Sequence, residues 1–240
     1  MIVMPSNATG WFLHALARET GRLGHLYSPG AQRGPWPWFP YAFDNGAFAC
    51  WDPDANTFDL GAWAAVEVAW HQLLAWATLT AFRPMWAIVP DIPGNAMETL
   101  KRWNLYAHYV VKAGIPLAVA AQDGMSIADV RNLRPMPEMV CIGGSTDWKW
   151  GVAQEWCAAF PRVHVLRCNS PTKLDLLEAW GCESTDGTGW CRGDLKQTAG
   201  LEAWCRKSTK PMTTPLWPYT RKGKAEAKAA LQIEEAKTDG

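Results

Sequence analysis

The chain has seven cysteines but no CxxC and no CxC pair, so neither a zinc knuckle nor a thioredoxin-type redox pair is written into it. No G-x-G-x-x-G follows its first strand and no Walker motif occurs, which removes the signatures of the nucleotide-binding open sheets. The opening MIVMPSNATG has no basic segment leading into an apolar one, so no secretion signal is read. Long uninterrupted apolar runs are missing too. The most apolar helical stretch, 62–82, carries Glu67, His71 and Gln72, which predicts a packed helix rather than a membrane span. Reduced thiols without a signal imply a cytoplasm. An excess of either charge is also lacking: 23 Lys and Arg stand against 23 Asp and Glu. Any grip on nucleic acid must therefore be local.

What is present is an alternation. Apolar residues make up 48% of the 240 and charged residues 19%, enough for a sizeable core in one large domain. The 16 tryptophans fill cores and stack on bases or sugars alike, so their number decides nothing alone. Short β-branched or aromatic runs at 2–4, 41–43, 86–89, 117–121, 139–142, 163–166 and 182–185 each give way to a turn signal and a helix-like segment. Helices are predicted over 11–23, 60–80, 96–113, 127–133, 153–160 and 172–180, several entered through Ser, Asp or Pro. Such alternation means a parallel sheet. Without a nucleotide-binding signature, the reading is an α/β fold of the (β/α)8 TIM-like barrel type over 1–206. An eighth strand is expected within 24–40 or in the tail. The 24–40 loop, rich in Gly, Pro and Trp, is also a candidate lid. From 207 the chain crowds Lys207, Lys210, Arg221, Lys222, Lys224 and Lys228 into a basic, partly helical tail. A solvated terminal helix and a phosphate-gripping arm are its two readings.

The polar residues fall at strand ends. Six successive strands close on Asp44-Asn45-Gly46, Asp91, Gln122-Asp123-Gly124, Gly143-Gly144-Ser145, Arg167-Cys168-Asn169 and Asp186-Gly187-Thr188-Gly189. In a barrel these ends converge on one mouth, where the fold keeps its chemistry. Paired carboxylates suit glycosidic chemistry, one attacking or shielding the anomeric carbon while the other moves a proton. Asp91, Gln122 and the Gly143-Gly144 turn also match the polar edge of a purine. A carboxylate accepts from ring N–H and NH2, and an amide or backbone N–H donates to a carbonyl. Acidic mouths bind metals as well, and an Asp before Gly or Asn caps turns, so no single Asp decides the chemistry.

These segments resemble the tRNA-guanine transglycosylase superfamily, and more closely its short phage and bacterial DNA 7-deazaguanine transglycosylases, over about 41–190. Phe43-Asp44-Asn45-Gly46-Ala47-Phe48 is similar to the family's D-S-G-G-F segment, and Val89-Pro90-Asp91 to the strand end whose Asp recognises the guanine edge. Ala120-Ala121-Gln122-Asp123-Gly124 resembles its V-Q-G-G strand end, and Ile142-Gly143-Gly144-Ser145 its Gly-Gly turn. Ser184-Thr185-Asp186-Gly187 sits where the family has its nucleophilic Asp. The C-x-C-x2-C…H zinc subdomain of the tRNA enzymes has no counterpart here, and the chain is short for them. Both departures favour the DNA branch.

The resemblance implies a glycosyltransferase that replaces guanine in DNA by 7-cyano-7-deazaguanine or a derivative, in the cytoplasm of a bacterium or a phage-infected host. Asp186 would attack C1′ of a flipped deoxyguanosine, Asp44 would move the proton, and Asp91, Gln122, Gly143 and Gly144 would orient the base. Neither cofactor nor metal is called for. Phe48 and Trp148 are candidate stacking partners, with core packing competing for Phe48. Lys149, Arg167 and Asn169 are candidates for the nucleic-acid backbone, with surface ion pairing competing. His71 reads as a core or interface histidine, and His164 as a residue that would tune the mouth if it faced inward. A zinc site from Cys168, Cys182, Cys191 and Cys205 is disfavoured by the spacing. The alternatives are a tRNA-guanine transglycosylase, a glycoside hydrolase on the same barrel, and a non-catalytic nucleic-acid binder. A hydrolase leaves Asp91 and Gln122 without a task, and a binder gains little from acids facing phosphates.

Overall fold

A computed structural model of the chain describes residues 1–6, 10–30, 39–191 and 195–207. Eight strands form the sheet, and among the described residues a helix follows each of them except β2: β1 (Ile2–Pro5), β2 (His25–Tyr27), β3 (Tyr41–Phe43), β4 (Ala87–Ile88), β5 (Leu117–Ala121), β6 (Met139–Ile142), β7 (Val163–Val165) and β8 (Ser184–Gly187). All neighbours run parallel, from β2 through β3 in sequence order to β8, which pairs with β1. Bridges from Val3 to Leu23 and from Ser6 to Leu26 join β1 back to β2 and close the sheet. This is the (β/α)8 barrel, and the expected eighth strand lies within 24–40, at β2.

Alternation along the strands sorts the side chains into two shells. Met4, Leu26, Ala42, Trp86, Ile88, Ala118, Ala120, Met139 and Cys141 pack together as the barrel interior. One fully buried indole, Trp86, sits there among small alanines, as a tapering barrel requires. The intervening residues, including Val3, Phe43, Val119, Val140, Ile142 and Val165, pack with the helices in the larger outer core.

Among the described residues the helices are α1 (Trp11–Thr20), α2 (Leu60–Thr78), α3 (Ala96–Lys112), α4 (Ile127–Asn132), α5 (Thr146–Ala159), α6 (Pro171–Ala179) and α7 (Leu195–Lys207). Their starts follow the local chemistry. Asp59 caps α2 by accepting from Gly61 and Ala62 N–H, Asn95 caps α3 through Glu98 N–H, and Ser126 with Asp129 forms a capping box on α4. Helix α5 begins seven residues before the predicted Ala153 start, because Ser145 of the Gly-Gly-Ser turn caps it directly through Trp148 N–H. Two elements differ from expectation. Residues 51–58, read as loop, hold a small antiparallel ribbon pairing Trp51 with Phe58 and Asp52 with Thr57. Helix α7 was not predicted; it docks where Arg22 lays its guanidinium 3.4 Å from the centre of the Trp204 ring and donates to Trp204 O at 3.2 Å. Lys207, expected in the tail, ends this helix with its ammonium on Asp175 of α6 at 3.0 Å. The rest of the basic tail and residues 31–38 of the candidate lid lie outside the described residues. No described helix is long and apolar enough to cross a membrane.

Candidate active site

The same two-residue period that fills the barrel builds its mouth. One step beyond the last inward core side chain, each strand presents a cavity-lining residue: Ser6 after Met4, Ser28 after Leu26, Asp44 after Ala42, Gln122 after Ala120, Gly143 after Cys141, Leu166 after His164 and Asp186 after Ser184. Only β4 breaks the step, with Asp91 rather than residue 90 reaching the cavity. The cavity volume is about 390 Å³, within the range of small-molecule sites.

On one side stands an amide–carboxylate network. Asn45 Nδ2 donates to Asp91 Oδ1 at 2.7 Å and to Val89 O at 3.0 Å, and Gln122 Nε2 donates to Asp91 Oδ2 at 2.5 Å. The orientation of Gln122 is unambiguous, because its Oε1 accepts two backbone N–H groups, from Gly94 and from Gly144, each at 2.9 Å. Burial is the main influence on the Asp91 carboxyl and raises its pKa from 3.8 to about 6; the Asn45 hydrogen bond opposes it and the negative charge of Asp44 adds to it. Asn45 carries the network with a further hold, its Oδ1 accepting Ala47 N–H at 2.8 Å. Nothing in the sequence beyond its place in a D-N-G turn pointed to it.

The Gly143-Gly144 turn is shaped by contact. At Gly144, φ is +68° and an added Cβ would lie 2.4 Å from Asp123 Oδ2 and 2.8 Å from Trp148, so only glycine fits. Asp123 itself faces the start of α5, where it accepts Ser145 N–H at 2.7 Å and the Ser145 hydroxyl. It anchors the turn and does not line the cavity. Both turn amides are engaged within the protein, Gly143 N–H with Ala121 O at 2.9 Å and Gly144 N–H with Gln122.

Asp44 accepts the Ser28 hydroxyl at 2.9 Å and Asn45 N–H at 2.8 Å. Burial dominates its environment and raises its pKa, with Asp186 nearby raising it further against the Ser28 hydrogen bond. Asp186, only 5% exposed, is held unevenly. Its Oδ1 accepts Arg167 N–H at 2.7 Å and faces His164 Nε2 at 3.3 Å, while among the described residues its Oδ2 has the Ser6 hydroxyl alone, at 3.3 Å. The Arg167 N–H reaches it because Arg167 adopts a left-handed backbone, φ 59°, a conformation a non-glycine residue holds at a cost of about 1–3 kcal/mol. The Arg167 side chain crosses the mouth, its guanidinium bonded to Gly144 O and centred 4.6 Å from the Phe48 ring.

No family model matches the chain, and no curated protein is similar to it. The site's chemistry therefore rests on its own geometry.

The structure brings Asp44, Phe48, Asp91, Gln122, Gly143, Gly144, Arg167, Asn169 and Asp186 to one cavity. Phe48 is at the rim and 48% exposed, not in the core. Asn169 lines the cavity too, with its Oδ1 already holding Gly189 N–H at 2.8 Å. Two expectations are corrected. Lys149 is 2% exposed on the inner face of α5, with its ammonium on Leu166 O at 2.6 Å and its pKa lowered to about 8, chiefly by burial. A lysine so placed braces the end of β7 and does not reach a phosphate. Trp148 packs edge-on against Trp156, ring centres 5.8 Å apart, away from the cavity. His71 faces Tyr109 and Glu67 on the α2–α3 surface. Among the described residues no three His, Cys, Asp or Glu side chains gather as a metal site. Sequence reading missed Ser6, Ser28 and Asn45 and made the role of His164 depend on its facing inward. The inward period of β1, β2 and β7 was the signal that would have found all but Asn45.

Proposed function

We propose that this protein exchanges guanine in DNA for a 7-deazaguanine such as 7-cyano-7-deazaguanine, through a covalent glycosyl–Asp186 intermediate, in a cytoplasm. The observation that carries this reading is the fixed orientation of Gln122 beside Asp91. With Oε1 held by two backbone amides, the Gln122 NH2 spends one hydrogen on Asp91 and keeps the other for a ligand. The wall of the cavity thus offers an N–H donor next to a carboxylate acceptor. That is the complement of a ring N–H flanked by a carbonyl and an exocyclic NH2, the edge guanine and 7-deazaguanines share.

Asp186 Oδ2 attacks C1′ as the bond to the guanine nitrogen breaks, and the electron pair of that bond leaves with the base. Asp44, whose burial favours the protonated carboxyl, gives guanine its proton. The incoming base returns a proton to Asp44 as its nitrogen displaces Asp186 from C1′, so charge and protons balance over the cycle and configuration is retained. The target nucleotide must leave the stack at a cost of a few kcal/mol. Exposed Phe48 offers it a stacking surface, and Arg167 above that ring offers guanidinium hydrogens to a phosphate.

The test is release of labelled guanine from duplex DNA supplied with 7-cyano-7-deazaguanine, with tRNA in parallel and Asp186→Asn as control. Release from DNA that the substitution abolishes supports the reading. Release from tRNA alone moves the protein to the RNA-modifying branch, and sugar release without a base requirement moves it to the hydrolases.

A further inference from the structure

We propose that His164 is the positioning residue for Asp186: its Nε2–H holds one carboxylate oxygen so that the other faces the reacting carbon. This role rests on the base-exchange reading and extends it to a buried side chain that touches neither base nor sugar.

His164 lies in the middle of β7, fully buried, one layer below the mouth, with the Trp86 ring edge-on at 4.8 Å. Apolar residues of the barrel interior adjoin it, Trp86 against its ring and Cys141 opposite it on β6. An imidazole there is costly unless both nitrogens find partners. They do, on the adjacent strand. His164 pairs with Ser184 in the β7–β8 register, and Ser184 and Asp186, two residues apart, project inward on the same face. Nδ1 lies 2.8 Å from Ser184 Oγ and Nε2 lies 3.3 Å from Asp186 Oδ1.

The partners decide where the hydrogen sits. Asp186 Oδ1 already accepts the Arg167 N–H at 2.7 Å, so it is an acceptor. A bare Nε2 would set its lone pair against that oxygen. Nε2 therefore carries the hydrogen, and the Ser184 hydroxyl donates to Nδ1. Two donors, one from a left-handed backbone and one from an imidazole, converge on Oδ1 and stop the carboxylate from turning. Oδ2, which among the described residues has a single partner, the rotatable Ser6 hydroxyl at 3.3 Å, is left toward the cavity. The same two donors receive the carboxylate again when the second base displaces it. The other charged groups around Asp186 are Asp44 and the Arg167 guanidinium at the mouth and Lys149 behind β7.

Full-length protein with 15N-labelled histidine tests the placement directly. Long-range proton–nitrogen correlation should show the His164 hydrogen on Nε2, with that signal moving in Asp186→Asn and missing in His164→Gln. Single-turnover formation of the covalent DNA adduct should fall on the order of 100-fold in His164→Leu, which cannot donate, and recover to within about tenfold of wild type in His164→Gln, which can. Guanine affinity should be the same in all three, which also reports that the barrel is folded. A hydrogen on Nδ1 alone, an unchanged rate in His164→Leu, or equal losses in the two variants overturns the assignment. Exchange accompanied by any of these removes His164 only. An Nε2 hydrogen in a wild-type protein that exchanges no base removes the exchange reading and, with it, this role.

Discussion

The two sides of the cavity hold their carboxylates in opposite ways. On the β3–β5 side, both oxygens of Asp91 accept side-chain amides that are themselves locked to the backbone. On the β7–β8 side, one oxygen of Asp186 has two partners, Arg167 N–H at 2.7 Å and His164 Nε2 at 3.3 Å, and among the described residues the other has one, the Ser6 hydroxyl at 3.3 Å. A fully braced acid is built to present a fixed pattern of donors and acceptors. An acid braced at one oxygen is built to react at the other. In the proposed exchange, residue type would not separate base reader from nucleophile; the distribution of donors would.

The largest effect expected from that contrast is a split between rate and affinity. Asp186→Asn should lower base exchange by about 10⁴-fold or more while guanine still binds, as for loss of a nucleophile. Asp91→Asn should instead weaken guanine binding, read by calorimetry, because an amide cannot accept at both positions. Loss of guanine binding in Asp186→Asn would break the comparison.

The pH dependence sharpens it next. Asp91 has its pKa raised from 3.8 to about 6 in the folded protein. Its contribution to stability is therefore fully present below pH 4 and is lost as pH rises through 6. A rise of that size corresponds to about 3 kcal/mol. The unfolding free energy of wild type minus that of Asp91→Asn, from urea titrations, should fall by about that amount between pH 4 and pH 7. Guanine affinity should rise over the same window as the acceptor carboxylate forms. A flat difference would mean that burial does not hold the Asp91 carboxyl toward its protonated form.

Smaller is the effect at the turn that carries the reader's amide. Gly144→Ala puts a Cβ against Asp123 in a left-handed backbone and should cost about 1–3 kcal/mol of stability in the same titrations. Smallest is Lys149→Met. Its ammonium is spent on Leu166 O, so DNA affinity and its salt dependence should stay within about twofold of wild type. A reduced salt slope would restore Lys149 to the phosphate-binding surface.

Much of the fold was readable because it is periodic. Seven strands, six helices and the cap residue Ser126 all report on chemistry within a few positions of themselves. The eighth strand, His25–Tyr27, escaped because three residues are too short a run to show a period beside a Gly, Pro and Trp-rich loop. Helix α7 escaped because its anchor, the Arg22–Trp204 contact, joins residues 182 positions apart. The site divides along the same line. Asp44, Asp91, Gln122 and Asp186 were legible as strand-end residues. The burial of Lys149 and the turning away of Trp148 were not, since both lie in the first turn of α5 and only the docking of that helix decides which face is covered.

By itself the sequence determined the alternation of strands and helices, the inward period of each strand and the acids at strand ends, because each depends on a repeat of two or of 3.6 residues. Only the tertiary structure decided which acid meets which donor. Asn45 reaches Asp91 across 46 residues and His164 reaches Asp186 across 22, and these meetings depend on how parallel strands are staggered when the sheet closes. Stagger is a property of the whole barrel, and no local stretch of chain encodes it.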